Sequence, residues 1–288
     1  MPLLFIGFTA AVFGLCFGSF ANVIIYRIPR NESIMSPPSR CPACSVKLSG
    51  ADLLPVVSWF LLKGKCRYCG VRISLRYPAV EAVCAALFAS VAVYAGRSYY
   101  TLYSAIPLCL LAFMLLSVSV IDADTQEIPD GLLIFGAIVG AIWVIAGNLL
   151  PFVYDKIFSH WSSVFGLRTD YLFITAFNAP IWYDALLGAL AGAAPLFIID
   201  RFVMLTLKKD GFGFGDVKLM AVAGLFLGWR LTLVSFFFAF MLGGLIMGFL
   251  LAIKRVEKGS YLAFGPYLSA GVLLAMWFGE GFMRLVLF

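Results

Sequence analysis

The stretch Thr101–Asp130, TLYSAIPLCLLAFMLLSVSVIDADTQEIPD, decides the fold class. Residues 101–121 contain no charged side chain. A helix needs about 20 predominantly apolar residues to cross the hydrocarbon core of a bilayer, and this run is long enough. It ends abruptly in a string holding four acids: Asp122, Asp124, Glu127 and Asp130. An acid at or inside a membrane span is expensive and marks function by default. The chain therefore reads as an all-α, polytopic membrane protein.

Working outward, seven further apolar runs cover residues 3–25, 79–96, 131–150, 183–205, 217–229, 231–253 and 264–285. With 101–121 they make about eight transmembrane helices. The run 217–229 is short, and only Trp229 and Arg230 separate it from the next. Composition agrees: the 288 residues are 62% hydrophobic and 12% charged, with a mean hydropathy of +0.99. A soluble domain is roughly half apolar and about a quarter charged, so that class is excluded.

The first basic residue, Arg27, follows the first apolar run rather than preceding it. That order describes a spanning helix with its N-terminus outside, not a cleavable signal. Threading the spans from there assigns 26–78, 122–130, 206–216 and 254–263 to the cytosol. These segments, with Lys218, hold fifteen Lys and Arg, against five in the outside segments. The bias supports a multi-pass protein of the bacterial inner (cytoplasmic) membrane in this orientation. It also accounts for the net charge of +6 without nucleic acid as a partner; the expected surrounding is membrane lipid. Three parts follow: a first transmembrane helix (1–25), a cytosolic loop domain (26–78) and a transmembrane bundle (79–288). The bundle carries an aromatic outside insertion at 151–182.

The loop domain contains CPAC and CRYC, which place Cys41, Cys44, Cys66 and Cys69 in two Cys-x-x-Cys pairs. Two such pairs can each grip one side of a tetrahedral zinc ion. A reducing cytosol disfavours the rival reading as disulfides. Four thiolates leave no open position, so the expected zinc is structural, in a small zinc-ribbon-like fold. Cys16, Cys84 and Cys109 fall inside spans and read as small buried hydrophobes.

Two acid-bearing strings lie at one membrane face: IDADTQEIPD (121–130) and GFGFGDVKL (211–219). Peptide hydrolysis without a nucleophilic side chain needs one carboxylate to take a proton from water and one carboxyl to donate a proton to the leaving amine. Asp122 and Asp216 are the candidate catalytic pair. Asp124 is the rival for the first position; a helix N-cap is the rival role for Asp216, and for Asp130, after Pro129, the N-cap is the expected role. Gly211, Gly213 and Gly215 suggest a tight turn and close approach to a substrate strand.

Taken together, the strings resemble the bacterial type IV prepilin peptidases along nearly the whole chain. GSFANVIIYRIP (18–29), CPAC and CRYC, RYPAVE (76–81), the two acid strings and FGPYLSAG (264–271) occur in the family's order. The resemblance implies a GxGD-type intramembrane aspartic peptidase that cuts the basic leader from prepilins and pseudopilins after a glycine, for type IV pilus assembly and type II secretion. It implies that Asp122 and Asp216 are catalytic. It also implies a second activity, N-methylation of the new amino terminus with S-adenosylmethionine. No glycine-rich cofactor fingerprint is present, so the cofactor-binding residues stay unknown. The stretch between the acid strings is longer than the family pattern, and the excess maps to 151–182.

His160, the only histidine, lies in that segment and reads as interfacial. Glu81, Arg76, Asn22 and Arg27 flank the first two spans and read either as interfacial anchors or as contacts to cofactor or leader. The alternative class is a polytopic ion-coupled transporter, for which Asp122, Asp200 and Asp216 would mark an ion path. The inverted halves common in transporters are not visible. A zinc-ribbon adaptor would leave both acid strings without a role.

Overall fold

A computed structural model describes residues 3–95, 104–165, 182–207, 213–253 and 263–287, of which 150–165, 207 and 287 by backbone alone. The described helices are α1 (Leu3–Arg27), the short α2 (Val57–Leu61), α3 (Arg76–Ala95), α4 (Ala105–Thr125), α5 (Asp130–Phe165), α6 (Trp182–Leu207), α7 (Phe214–Ala252) and α8 (Gly265–Leu287). Seven are long and apolar enough to cross a membrane. They carry large apolar side chains outward: Leu4, Phe8, Phe202 and Leu205 are each at least 66% exposed. Such surfaces suit lipid, not water. The protein is a multi-pass, all-α membrane protein, as its composition requires.

The chain forms two compact units, Met1–Arg97 and Ser98–Phe288. In the first, α1 packs on α3 through small residues. A Cβ on Gly14 would lie 2.6 Å from the Ala85 backbone, and one on Gly18 equally close to that of Glu81. Lipid supplies no hydrophobic drive between helices, so this close backbone approach is what holds the pair.

The second unit turns on α7. Its 39 residues would form a straight rod of about 58 Å, far beyond a hydrocarbon core of about 30 Å. The helix is broken at Gly228, where φ is 70° and ψ is 172°. Only glycine enters that region without strain, and a Cβ there would also run into the Asp184 carboxylate. Packing gives the direction of the two limbs. Along α6, Gly192 abuts Met220 and Gly188 abuts Gly224, so α6 runs antiparallel to the first limb. Along α8, Gly265 neighbours Asp122, Gly271 abuts Ser235 and Ala239, and Gly279 abuts Leu231. Gly243 meets Phe264 and Tyr267. The second limb therefore returns to the end of the bundle from which the first departs, and the chain reverses at Gly228. Among the described residues, seven apolar helices thus offer eight candidate passes, with the reversal just before the expected Trp229–Arg230 boundary.

Among the residues singled out in the sequence, Gly211 and 166–181 of the insertion lie outside the described residues, as does the side chain of His160. The backbone of the insertion is helical as far as Phe165, continuing α5.

Candidate active site and metal centre

Asp122 lies one turn before the C-terminus of α4 and is 5% exposed. The helix ends at Gln126, whose left-handed backbone (φ 56°) lets its N–H bond back to the Asp122 carbonyl at 2.8 Å. The carboxylate itself is held from another helix. Its Oδ2 accepts the Gly265 backbone N–H at 2.9 Å. That N–H belongs to the first turn of α8, where helix N–H groups have no partner within the helix. Bonding one of them to a carboxylate satisfies the donor and stabilises negative charge on the acid.

Asp216 stands in the first turn of α7 and is 8% exposed. The N-cap is Gly213, and no side chain caps the helix, so the N-cap role does not apply to Asp216. The Asp122 charge acts on Asp216 across the gap between them. The two helices are tied together beside the acids. Gly215 lets Ile128, from the α4–α5 link, approach so closely that a Cβ would lie 2.9 Å from the Ile128 side chain. Asp130 pairs with Lys218 at 2.7 Å. Asp130 thus joins two elements instead of capping α5. Gly213 has φ −65° and ψ 139°, open to any residue, so the tight-turn reading fails there. Gly215 is required for close packing of the link. Asp124, the sequence rival, points outward and is exposed. Asp200 is part-exposed, and Arg201 lies over Phe197 with its carbon 5.2 Å from the ring centre.

In the first unit, Cys41, Cys44, Cys66 and Cys69 bring their four sulfurs within 4.8 Å of one another, and Cys41 Sγ lies 3.9 Å from Cys69 Sγ. Zn–S bonds of about 2.3 Å place tetrahedral sulfurs roughly 3.8 Å apart, so the donor set fits zinc. The reason is a local fold used twice. The Cys41 N–H bonds to the Val46 carbonyl and the Cys66 N–H to the Val71 carbonyl. Each knuckle closes through a left-handed residue, Ser45 or Gly70, and an antiparallel bridge, Arg40–Lys47 or Lys65–Arg72. The Cys44 backbone N–H lowers the Cys41 thiol to about 7, against the opposing effect of burial. The Val71 N–H lowers Cys69, but burial and the three neighbouring thiols outweigh it and push Cys69 up to about 11. Cys16, Cys84 and Cys109 take no part in this cluster.

The Asp52 carboxylate pins the second knuckle. It accepts from Ser49 Oγ (2.7 Å), the Ser49 N–H (3.0 Å), Arg67 Nε (2.6 Å) and the Tyr68 hydroxyl (3.1 Å). Ser49 first, then Arg67, hold its pKa well below the usual carboxylate range. The sequence pattern does not reveal this clamp, because Asp52 lies far from either Cys pair. Nor does it reveal the Gly265 donor, a backbone group.

Seven apolar helices that turn large apolar side chains outward, with two buried acids, Asp122 and Asp216, on separate helices, define a polytopic membrane protein with charged groups in its bundle. Residues 12–95 match the Bacterial Peptidase A24 N-terminal domain, and residues 109–248 match the Type IV leader peptidase family. The chain belongs to that family. Among its relatives is a prepilin leader peptidase/N-methyltransferase from Bacillus subtilis (strain 168), 34% identical over 93% of each chain. One of the same name from Neisseria gonorrhoeae is 34% identical over 90% of this chain and 86% of its own length. A third, from Pseudomonas putida, is 30% identical over 94% and 90%. No solved structure matches the chain.

Proposed function

We propose that this chain is an intramembrane aspartic endopeptidase of the bacterial inner membrane. In this reading it removes the basic leader of type IV prepilins and pseudopilins, cutting after glycine at the cytosolic face, and N-methylates the new amino terminus. The observation that carries the reading is the pair Asp122 and Asp216, buried on different helices within range of each other's charge. Relatives named prepilin leader peptidase/N-methyltransferase support the substrate and the second activity.

Asp122 is assigned as the base, because the Gly265 N–H stabilises its charged form. It takes a proton from water as the water oxygen attacks the scissile carbonyl. Asp216 is assigned as the acid. It gives a proton to the leaving amine as the C–N bond breaks. Zinc on the four thiolates would hold the loop 26–78 folded and take no part in chemistry. S-adenosylmethionine, when bound, supplies the methyl group. The domain division, with 26–78 as the zinc unit and 79–288 as the peptidase bundle, is part of the same proposal.

The test is cleavage of a purified prepilin by the full chain in detergent micelles. The proposal expects a leader-sized product that disappears in Asp122→Asn and in Asp216→Asn. An ion-coupled transporter would give no product from the wild-type chain, and that result would refute the reading.

A further inference from the structure

The first unit contains a partly open chamber of about 630 Å³, lined by residues of the cysteine loop, the end of α1 and the start of α3. Small-molecule sites run to about 300–1,000 Å³. We propose that this chamber is the S-adenosylmethionine site, an inference that rests on the methylation half of the proposed function.

Three features of the lining fit that ligand class, which combines a flat aromatic base, a sulfonium cation and an amino-acid zwitterion. The first is a fixed aromatic face. Trp59 donates its indole N–H to the Ile73 carbonyl at 3.1 Å, and its ring lies so close over Gly64 that a Cβ there would meet it at 2.9 Å. Its position is set before any ligand arrives, and an indole face attracts both a stacked base and a sulfonium cation.

The second feature is a buried carboxylate. Glu81 is 9% exposed and lines the chamber. Its Oε2 accepts the Val56 N–H at 2.7 Å, and Ser19 also bonds to it. Val56 is β-branched yet sits at φ 60°, ψ −49°, a conformation such residues almost never adopt. The loop is thus strained where it anchors Glu81, as functional sites often are. A buried acid in a ligand chamber is a natural partner for a cation.

The third feature is the charge balance, which separates this ligand from the basic leader peptide. Arg27, Arg40, Arg67 and Arg72 line the chamber against Glu32, Asp52 and Glu81. Asp52 is already engaged by Arg67. The remainder favours cations by one, which repels a basic peptide and suits a ligand carrying a carboxylate. Asn22 and Arg27 are themselves braced, Asn22 by the Tyr77 carbonyl at 3.1 Å and Arg27 by the Ser33 and Pro37 carbonyls. Of the four polar groups read in sequence as either anchors or contacts, Asn22, Arg27 and Glu81 line the chamber and Arg76 does not.

The test uses tritiated S-adenosylmethionine on the full chain in micelles, with zinc content and prepilin cleavage measured on the same samples. Trp59→Ala and Glu81→Gln are expected to weaken binding at least about tenfold, the loss expected for a desolvated cation–aromatic or charged contact. Both should keep zinc and cleavage. Phe60→Ala, whose side chain is 65% exposed and outside the chamber lining, should bind as wild type. Ultraviolet crosslinking should place the label in peptides from 19–81, which keeps the test decisive even where a substitution releases zinc. Wild-type affinity in Glu81→Gln with zinc intact, or label recovered from 104–287, overturns the chamber assignment alone. A wild-type chain that cleaves prepilin but binds no S-adenosylmethionine overturns the methylation reading itself.

Discussion

Replacing Gly265 with alanine tests the acid pair without touching either acid. The new Cβ would stand 2.7 Å from Asp122 Oδ2 and 3.1 Å from Cγ, closer than such atoms can approach, so either the carboxylate or the start of α8 must give way. Either movement stretches the 2.9 Å bond from the Gly265 N–H. A hydrogen bond to a charged group contributes about 1.5–3 kcal/mol. Each 1.4 kcal/mol is about tenfold in rate, so kcat/KM for prepilin cleavage should fall about 10- to 100-fold. Stability should change little, because alanine is the better helix former. Two glycines of the same helix are controls. At Gly281 a Cβ would meet nothing within 4 Å, so Gly281→Ala should cleave as wild type. At Gly271 it would strike the backbone carbonyl of Ser235, so Gly271→Ala should lower the melting temperature in micelles. The assay is initial cleavage rate on a purified prepilin, with thermal unfolding followed in parallel. Full activity in Gly265→Ala, or equal loss in Gly281→Ala, would refute the claim that the α8 N–H holds the Asp122 carboxylate for the proposed reaction.

Asp122→Asn and Asp216→Asn should each abolish cleavage in a folded, inserted protein. Asp124→Asn and Asp130→Asn should retain much of it, since the exposed Asp130–Lys218 pair contributes at most about 1 kcal/mol. A dead Asp124→Asn beside an active Asp122→Asn would reverse the first assignment. Elemental analysis should find about one zinc per chain, given one four-thiol cluster, and this ratio should not change when Cys16, Cys84 or Cys109 becomes serine. Cys41→Ser combined with Cys44→Ser should lose methylation more completely than cleavage when both are assayed on the same variants; equal loss would assign the loop to the peptidase site. Asp52→Asn should release zinc to a chelator faster than wild type at neutral pH. Because its folded pKa lies below the ordinary value, the clamp is fully present above about pH 4 and is lost only as pH falls further. The difference should therefore be the same at pH 6 and pH 8.

Much of this protein is legible along the chain because its strongest constraints are local. A run such as 101–121 must be a helix in lipid, since nothing else satisfies its backbone there, and the structure has α4 over Ala105–Thr125. The cysteine spacing is similarly short-range, and each knuckle closes over a few residues. Position at a span end brings an acid to the membrane edge but does not decide its burial: Asp122 and Asp216 are buried, while Asp124 and Asp130 are exposed. What chain order cannot express is which ends meet. Asp122 is steadied by Gly265, 143 residues away, through a backbone N–H that every residue but proline carries and no motif can flag. The break in α7 is legible as the Trp229–Arg230 boundary between two apolar runs, but the residue that makes it is not. A glycine in an apolar run reads as a small packing residue, and the positive φ and the neighbouring Asp184 show that the turn is made there. The sequence by itself determined the membrane class, the apolar helices and the spacing of the thiol set, and it named the acids proposed for catalysis, because hydropathy and ligand spacing act over a few residues. The tertiary structure alone decided that Gly228 makes the reversal of α7, the bond that holds Asp122 and the chamber around Glu81, because each depends on atoms brought together by packing between distant parts of the chain.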